Sequence, residues 1–240
     1  MIYSIGKKYE EKKYLDKMMG PNPVKLQEEL LQGCRLKRGD RVLDLGSGQG
    51  LTSVVLAREY GFRVCAADLW SDPKENVAFF RSEGLSEKEI EAVKADANDL
   101  PFEKESFDGV ISTDSYNYFG REENYLDEKL LPFVRKGGYV YFAVPGMKKD
   151  VHGNLPACFS LSWTEEQMDY MQDVSWWTAL LQKSRGSEIL SVRQADGEDE
   201  MWSDWLAMEN EYAVGDRKAM EAGAGKYLNF LLFELKKIWA

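Results

Sequence analysis

Three glycines alternate with other residues directly after a short apolar segment, at Gly46, Gly48 and Gly50. Glycines at every second position permit a tight turn and let the backbone approach a ligand, because no Cβ is present to collide with it. The segment 51–60 that follows is predicted to be a helix. Its N-terminal N–H groups and positive dipole end would point at that ligand. The pattern therefore predicts a binding loop for a small molecule.

Asp44 lies inside the predicted strand 42–45, just before these glycines. The glycine spacing is G-x-G-x-G, whereas dinucleotide-binding folds use G-x-G-x-x-G. A carboxylate beside the loop would repel a pyrophosphate, and it suits an amino group or another cationic ligand better. Taken alone, the glycines could also form an ordinary strand-to-helix turn without a ligand. The acidic flank favours a cationic ligand over a dinucleotide.

Two further carboxylates are predicted at the ends of successive parallel strands. Asp68 ends the predicted strand 63–68, and Asp96 follows the predicted strand 92–95. Ligands of open α/β sheets bind at this carboxyl edge, where an acidic side chain can accept the hydrogens of ribose hydroxyls. Each carboxylate could instead be a solvated strand end or a helix cap. Their shared edge favours a binding role, and Leu69 and Trp70 could flank an adenine ring.

The run 44–50, Asp-Leu-Gly-Ser-Gly-Gln-Gly, resembles the first motif of the class I S-adenosylmethionine (SAM)-dependent methyltransferases. Two more landmarks of that family follow in order: the segment 106–114, a predicted fourth strand, and 130–142, a helix, a glycine turn and a fifth strand. The resemblance covers roughly residues 36–144. It implies an α/β, Rossmann-like fold, with a mostly parallel seven-stranded sheet of order 3-2-1-4-5-7-6 and helices on both faces.

The resemblance also implies SAM as methyl donor and a set of residues that hold it. In the family the glycine loop binds the methionine part of SAM. The acidic residues that correspond to Asp68 and Asp96 meet the ribose and the adenine amino group, and the N–H after Asp96 meets the ring. The predicted cofactor-binding residues are Asp44, Gly46, Ser47, Gly48, Gln49, Asp68, Leu69, Asp96, Ala97 and Thr113.

The acceptor pocket is predicted from residues above the strand ends, which after strand four include Thr113, Asp114, Asn117 and Phe119. Candidates are Tyr116 and Tyr118 after strand four, and Trp163 and Trp176 in a later insertion; tryptophans at helical spacing could instead form a hydrophobic lid core. Methyl transfer is an in-line displacement that needs alignment and exclusion of water. His152, the single histidine, is the candidate general base. A surface histidine without function is the favoured alternative.

Composition narrows the range of partners. With 31 basic and 41 acidic residues the net charge is −10, which argues against a nucleic-acid partner. No apolar run reaches membrane-spanning length and no signal-peptide core is present, so no membrane contact is predicted. Three cysteines without paired spacing suggest free thiols in the cytoplasm, and one histidine makes a metal site improbable. The oligomeric state stays open.

A chain of 240 residues fits one domain, which divides into four predicted parts. These are a helical N-terminal cap (1–34), the SAM-binding core (35–145), a lid insertion (146–186) and C-terminal strands with a helix (187–240). In the cap, Asn22 is predicted to begin a helix. In the insertion, Ser162 or Thr164 is predicted to begin one helix that runs to about residue 180.

The sequence thus predicts a methyltransferase that transfers the methyl group of SAM to a small-molecule acceptor. Two alternatives belong to other classes of protein. An NAD(P)-dependent oxidoreductase would have a similar fold and an acidic residue at the position of Asp68, but the glycine spacing of this chain differs from that of dinucleotide-binding folds. A SAM-binding protein without catalysis is also compatible, because the acceptor site has no motif whose loss would be visible. The acceptor atom is left undetermined.

Overall fold

A seven-stranded sheet forms the centre of the computed structural model, which describes residues 3–238. Its strands, numbered along the chain, are β1 (Arg41–Leu45), β2 (Arg63–Asp68), β3 (Ile90–Lys94), β4 (Phe107–Thr113), β5 (Val134–Met147), β6 (Ser187–Gln194) and β7 (Leu228–Lys237). Their order across the sheet is β3-β2-β1-β4-β5-β7-β6. Only β7 among these strands runs antiparallel to its neighbours, β5 and β6. The predicted fold class and strand order are confirmed.

Helices cover both faces of the sheet. Within residues 3–238 the α-helices are α1 (Lys12–Leu15), α2 (Pro23–Leu30), α3 (Leu51–Val55), α4 (Pro73–Ser82), α5 (Tyr116–Phe119), α6 (Glu165–Asp169), α7 (Val174–Leu181), α8 (Glu198–Leu206) and α9 (Glu211–Glu221). In the same part of the chain, no helix combines the length and the apolar character that crossing a membrane would require.

The hydrophobic core consists of two clusters, one on each face of the sheet. Successive side chains of a strand point to opposite faces, so Val42 and Tyr141 join one cluster while Leu43 and Phe142 join the other. Strands buried on both faces read as continuous apolar runs, which is the pattern of β1 and β4. This double burial fixes the sheet and holds its carboxyl edge as a firm platform for loops.

The helix after the glycine loop is less regular than predicted. Of the expected helix 51–60, α3 accounts for the first half, and Leu56–Tyr60 forms a wider π-helical turn. Gly61 ends this turn in the left-handed region, with a φ of 70°. Beyond it the N–H of Phe62 donates to the carbonyl of Leu56 at 3.2 Å, so the wide turn leads directly into β2.

The prediction of one long helix in the insertion is wrong, because two N-caps divide it. Thr164 begins α6 with a capping box: its hydroxyl accepts from the N–H of Gln167, whose side chain accepts from the N–H of Thr164. Asp173 then begins α7, since its carboxylate accepts from the N–H of Trp176 at 2.9 Å. Between them, the carbonyl of Gln172 accepts from the N–H of Met147, which ties the break to β5.

The N-terminal segment is held against α4 rather than folded as one helical unit. A 3-10 turn, Gly6–Tyr9, precedes α1 and α2, and Asn22 caps α2 as predicted, accepting from the N–H groups of Val24 and Lys25. Glu83, at the end of α4, accepts from Lys13 at 2.9 Å and from the Tyr14 hydroxyl at 2.6 Å. The chain that follows α1 reaches the carboxyl edge of the sheet, where Lys17 and Met19 lie. The division of the chain into four parts stays a prediction.

Candidate active site

A cavity of about 900 Å³ opens at the carboxyl ends of β1 to β4. This is the edge at which open α/β sheets bind ligands, and the volume lies within the range of about 300–1,000 Å³ for small-molecule sites. Residues after all four strands line it: Gly46 and Gly48 after β1, Asp68 at the end of β2, Asp96 after β3 and Asp114 after β4. The sequence-predicted loop and carboxylates are thus brought together in one place.

The glycine loop adopts a backbone that other residues rarely take. Gly46, Gly48 and Gly50 have φ angles of 77°, 51° and 81°. A Cβ at Gly46 would overlap the side chain of Ser115, and a Cβ at Gly50 would overlap the ring of Phe80. The alternating glycines therefore allow the loop to turn beside the cavity while it packs against the segment after β4 and against α4. Gln49 also lines the cavity.

Asp68 is held in a fixed orientation by backbone N–H groups. Its Oδ2 accepts from the N–H of Gly48 at 2.9 Å, and its Oδ1 accepts from the N–H groups of Trp70 and Ser71 at 2.9 and 2.8 Å. The bond from Gly48 joins the end of β2 to the glycine loop. A carboxylate has about four acceptor positions, so this one can still accept from a ribose hydroxyl.

The residues predicted around an adenine ring lie at the other end of the cavity. Asp96, Leu69 and Ala97 line it, together with Trp70, whose side chain is 81% exposed at the rim. Asp96 Oδ1 accepts from the N–H and the side-chain amide of Asn98, at 2.8 and 3.1 Å. This arrangement combines apolar surface with one oriented carboxylate, and such a surface suits a flat ring that carries an amino group.

Three of the predicted cofactor residues lie beneath the cavity instead of lining it: Asp44, Ser47 and Thr113. The carboxylate of Asp44 is fully buried, where Oδ2 accepts from the hydroxyls of Thr52 and Ser53 at 2.8 and 2.6 Å. Burial raises its pKa to about 6, against the hydrogen bonds that lower it. Asp44 thus joins the loop to the first turn of α3, and the structure does not bring its carboxylate to the ligand side.

Ser47 and Thr113 are likewise engaged in packing. The N–H of Ser47 donates to the carbonyl of Ala67, and its side chain is buried. Thr113 ends β4, and its hydroxyl accepts from the amide of Gln27 at 3.4 Å. Both side chains are buried and neither lines the cavity. A direct contact with a cofactor stays a prediction for them.

The predicted acceptor residues are divided between the cavity and the core. Tyr118 lines the cavity, its side chain is 58% exposed, and its ring centroid lies 5.5 Å from that of Tyr170. Tyr116 instead is fully buried and stacks on Phe142 with a centroid distance of 4.1 Å. The two tyrosines lie two positions apart on the short helix α5, so its opposite sides face the solvent and the core.

Neither tryptophan predicted for the acceptor lines the cavity. The indole N–H of Trp163 donates to Asp216 at 2.8 Å, which fixes it against α9. Trp176 is partly exposed and packs edge-on against the buried Trp177, at a centroid distance of 5.1 Å. Trp163 thus packs against α8 and α9, and Trp176 lies at the partly exposed surface of α7.

His152 also lies outside the cavity-lining set. Its Nδ1 is 2.6 Å from the carboxylate of Asp150, and its Nε2 is 3.1 Å from the carbonyl of Met168. Both ring nitrogens therefore face atoms of the protein, and His152 does not line the cavity. Hydrogen bonds from the N–H groups of His152 lower the pKa of Asp150. The structure therefore gives His152 a loop-bracing position, away from any nucleophile in the cavity.

Several lining residues were missed by sequence reasoning: Lys17, Met19, Asp72, Glu75 and Asn76. The Asp72-Pro73 pair is a helix-start signal only four residues after Asp68, and it could have placed the first turn of α4 at this edge. The side-chain amide of Asn76 donates to the carbonyl of Gly48 at 2.9 Å, which supports the loop. Lys17 and Met19 carried no such signal, since the path of the N-terminal segment depends on its contacts with α4.

The cavity wall is strongly acidic. Among the described residues that line it are five carboxylates, Asp68, Asp72, Glu75, Asp96 and Asp114, and a single cationic side chain, Lys17. The ammonium of Lys17 lies 4.2 Å from the ring centroid of Phe79. Such a wall attracts cations and repels phosphate groups. The acidic wall therefore disfavours a pyrophosphate cofactor, as the glycine spacing does.

Residues 43–142 match the model of a protein family described as "Methyltransferase domain". The glycine-N-methylating enzyme of Actinopolyspora halophila, a glycine/sarcosine/dimethylglycine N-methyltransferase, is 34% identical over 42% of this chain and 18% of its own. A demethylmenaquinone methyltransferase of Clavibacter sepedonicus is 31% identical over 58% of this chain and 63% of its own. This chain thus matches less than two thirds of the length of these curated relatives.

Solved structures agree with the fold. Phosphoethanolamine N-methyltransferase 2 of Haemonchus contortus, in complex with SAM, has a TM-score of 0.72 and 20% identity, covering 99% of this chain and 61% of that one. Together with the family match, this likeness defines the class: residues 43–142 belong to the methyltransferase domain family, and the chain has the fold of the class I SAM-dependent methyltransferases. The family predicted from the sequence is confirmed, and SAM is the methyl donor that this family uses.

Proposed function

We propose that this protein is a methyltransferase that transfers the methyl group of SAM to a small molecule. The observation that carries the proposal is the acidic cavity at the carboxyl ends of β1 to β4, bordered by the glycine loop and by Asp68. SAM has a positive net charge at neutral pH, because it carries an ammonium, a sulfonium and one carboxylate. Five wall carboxylates against one lysine favour such a ligand.

The residues of the cavity fit the three parts of SAM. The backbone of Gly46 and Gly48 gives close access for the methionine part, since no side chain stands in the way. Asp68 is oriented to accept from the ribose hydroxyls, and Asp96 and Ala97 lie where the adenine would follow. When bound, SAM supplies an activated methyl group. We keep the ten cofactor residues predicted from the sequence as part of this proposal. Asp44, Ser47 and Thr113 would act indirectly, by holding the glycine loop and the end of β4 in place.

The chain's own contribution to the transfer is alignment and exclusion of water. Lys17 and Met19 of the N-terminal segment close one side of the cavity, and Tyr118 and Phe119 of α5 close another. Enclosure orients the acceptor and keeps water from the reacting atoms. The residues after β4 that line the cavity, Asp114, Ser115, Tyr118 and Phe119, are proposed to contact the acceptor. Of the four aromatic residues predicted for that role, Tyr118 is the one that borders the cavity.

A small acceptor fits better than a macromolecule. The acidic wall and the net charge of −10 oppose the approach of a nucleic acid. The relatives named above carry the names of enzymes that act on glycine derivatives, a quinone precursor and phosphoethanolamine. These names support a small acceptor without choosing one. The cytoplasmic location predicted from the cysteines and the oligomeric state stay open.

Replacing Asp68 tests this function. Asp68→Ala removes the acceptor for the ribose hydroxyls and releases three backbone N–H groups, so the affinity for S-adenosylhomocysteine (SAH), the demethylated product, should fall about 10- to 100-fold. Calorimetric titration measures it. Glu103→Ala is the control, because it removes an exposed carboxylate from the loop before β4, at the opposite edge of the sheet. Equal affinities for both variants and the unmodified protein would contradict the proposal.

The same titrations separate the alternatives. Binding of NADH without binding of SAH would favour an oxidoreductase. Binding of SAM without any methyl transfer, across a broad panel of small acceptors, would favour a SAM-binding protein without catalysis. Release of SAH that depends on one added acceptor would establish the methyltransferase.

A further inference from the structure

Asp114 stands at the end of the cavity farthest from the adenine side. Because β3, β2, β1 and β4 are consecutive in the sheet, Asp96, Asp68, the glycine loop and Asp114 follow one another along the same edge. With the cofactor proposed over the first three, the position after β4 is left for the acceptor. Asp114 is the carboxylate that the structure provides there.

The backbone of Asp114 is held in a strained conformation. Its φ is 58°, and within residues 3–238 only Glu105 is another non-glycine residue with positive φ. The N–H of Asp114 donates to the carbonyl of Ala143 in β5 at 2.8 Å, so the sheet maintains this conformation. Strain of this kind costs about 1–3 kcal/mol and concentrates at functional sites, where it aims a side chain. Here it places a carboxylate in the cavity wall.

The carboxylate of Asp114 accepts no hydrogen bond from the residues that the structure describes, whereas Asp68 accepts three and Asp96 two. Gly20 lies directly against it, since a Cβ on Gly20 would overlap Oδ2. Partial burial in the cavity wall, aided by the nearby charge of Asp216, raises the pKa of Asp114 to about 7. A partly exposed carboxylate without a protein partner gains most from a ligand that brings its own positive charge and N–H groups.

We propose, building on the proposed methyltransferase function, that the acceptor is an amine, whose ammonium binds Asp114 and whose proton Asp114 accepts. Acceptors held by a carboxylate or phosphate group fit poorly, because the wall has five carboxylates and Lys17 as its single cationic side chain among the described lining residues. The rings of Tyr118 and Phe119 beside Asp114 offer apolar and cation–π contacts to an alkyl- or arylammonium.

An ammonium has no lone pair, so one N–H proton passes to the Asp114 carboxylate and leaves a neutral amine. The nitrogen lone pair then forms the C–N bond to the donor methyl carbon, while the C–S bond breaks and its electron pair stays on sulfur. The product is a methylated ammonium, and the proton on Asp114 is released to water. A group that titrates near neutral pH can take and release this proton at each turnover.

Binding of three matched probes to the SAH-saturated protein tests the inference without turnover. The probes are phenethylamine, 2-phenylethanol and 3-phenylpropionate, which share a phenyl ring and differ in charge. The unmodified protein should bind the amine about ten-fold or more tightly than the alcohol, with the carboxylate weakest. A lack of preference for the amine, whether none of the probes binds or all bind equally, overturns the inference.

Asp114→Asn assigns the preference to this residue. Asparagine tolerates positive φ and has nearly the same shape, so the variant removes the charge with little added strain. It should bind phenethylamine and 2-phenylethanol with similar affinity while keeping its affinity for SAH; Glu103→Gln should behave as the unmodified protein. An undiminished preference for the amine in Asp114→Asn contradicts the assignment. If the unmodified protein does not bind SAH, the result contradicts the methyltransferase proposal itself.

The pH dependence offers a second measurement if that variant does not fold. The titratable groups that act on Asp114 or are acted on by it are Asp216 on α9 and Tyr118 on α5, and Lys17 of the N-terminal segment lines the same cavity. The pKa of Tyr118 is raised to about 12, so its phenol stays neutral below that pH. Phenethylamine binding should therefore strengthen between about pH 6 and about pH 8, as Asp114 loses its proton. Binding that is flat or weakens over this range contradicts the inference.

Discussion

At Gly46 the backbone satisfies two separate demands, a left-handed φ of 77° and close packing against the side chain of Ser115. An alanine would be strained by the φ angle and would also displace Ser115, whose hydroxyl donates to the carbonyl of Leu45 at 3.0 Å. The loop and the segment after β4 meet through this contact. Because Gly46 has no Cβ, the glycine loop on the cofactor side of the cavity can pack directly against Ser115 on the acceptor side.

Gly46→Ala should therefore weaken SAH binding, because the added Cβ displaces Ser115 in addition to straining the backbone. Gly84→Ala is a matched control, because Gly84 has the same φ of 77° but no atom within 4 Å of a Cβ built there. Both variants should lose about 1–2 kcal/mol of unfolding free energy from strain. Only Gly46→Ala should lose SAH affinity, about ten-fold or more. Calorimetry and urea unfolding measure the two effects; equal SAH affinity of both variants contradicts the role of the loop.

Single residues also show where sequence reasoning reaches its limit. Asp68, Asp96 and the glycines followed from strand ends that local patterns define, and the structure places Asp68, Asp96, Gly46 and Gly48 on the cavity wall. Tyr116 and Tyr118 look alike in the sequence, yet only the packing of α5 decides which ring is buried. The position of Asp44 could not be foreseen either, because its hydroxyl partners Thr52 and Ser53 follow on the next helix.

Among the elements, the N-terminal segment depends on Glu83 for its place over the cavity. The side chain of Glu83 is 4% exposed and accepts from Lys13, from Tyr14 and from Arg58, the last at 2.9 Å. These bonds lower the pKa of Glu83, although burial alone would raise it. The anchor joins positions separated by 70 residues, so no local pattern could reveal it.

Glu83→Gln should loosen this segment. Losing the charge weakens three charge-assisted hydrogen bonds, each of which contributes about 1.5–3 kcal/mol. Amide hydrogen exchange in residues 12–20 should therefore become faster. Affinity for SAH should fall as well, because Lys17 and Met19 line the cavity. Glu87→Gln is the control, since its ion pair with Arg81 is exposed and contributes about 0–1 kcal/mol. Unchanged exchange in Glu83→Gln would show that other contacts hold the segment.

Helix α9 binds the insertion and α8 together through Asp216. Its two carboxylate oxygens accept from the indole N–H groups of Trp163 and Trp205, at 2.8 and 2.9 Å. Trp163 lies 53 residues before Asp216, so no local pattern could reveal this hydrogen bond. From the sequence alone, the ring of Trp163 was therefore a candidate for contact with the methyl-accepting substrate. In the structure its indole N–H donates to Asp216 of α9 instead.

Asp216→Ala should leave two indole donors without partners and reduce the unfolding free energy by about 2–4 kcal/mol. Asp216→Asn keeps one acceptor oxygen and should lose less, while Asp199→Ala, on the exposed side of α8, should change little. Urea unfolding gives the three values. Since the charge of Asp216 raises the pKa of Asp114, both Asp216 variants should also lower that pKa. A destabilisation of Asp216→Ala no greater than that of Asp199→Ala contradicts this role.

At the scale of the whole molecule, the sheet is the part that sequence predicts best. The positions of its strands follow from apolar segments and turn glycines, the order of the strands is implied by the family resemblance, and that order is confirmed in full. The insertion was predicted less well, because two short helices with separate caps, Thr164 and Asp173, have the same apolar spacing as one helix. Caps and distant anchors, rather than periodicity, decide how the elements around the sheet are placed.

Two carboxylates also affect the stability of the whole fold, the buried Asp44 and Asp114, which is partly exposed at the cavity wall. The pKa values of Asp44 and Asp114 are raised in the folded protein, to about 6 and about 7 from an ordinary 3.8. The folded state therefore binds these protons more tightly than the unfolded chain, and stability should rise as the pH falls from about 7 to about 5. The lowered pKa of Glu83, from an ordinary 4.5, gives the opposite effect only at lower pH.

Urea unfolding at about pH 8 and about pH 5.5 should show this gain on acidification. The gain should be smaller in Asp114→Asn, which has no carboxyl to protonate, and unchanged in Glu103→Gln. A fold that is equally stable at both pH values, or more stable at the higher one, would mean that the two carboxylates are not desolvated as the structure has them.

The most direct measurement is calorimetric titration of the unmodified protein with SAM, with NADH as the comparison. The acidic cavity, the G-x-G-x-G loop and the carboxylate of Asp68 predict that SAM binds with a micromolar dissociation constant, near the cavity that these residues line, and that NADH does not bind. Binding of NADH alone, or of neither compound, would contradict the assignment of this cavity to SAM.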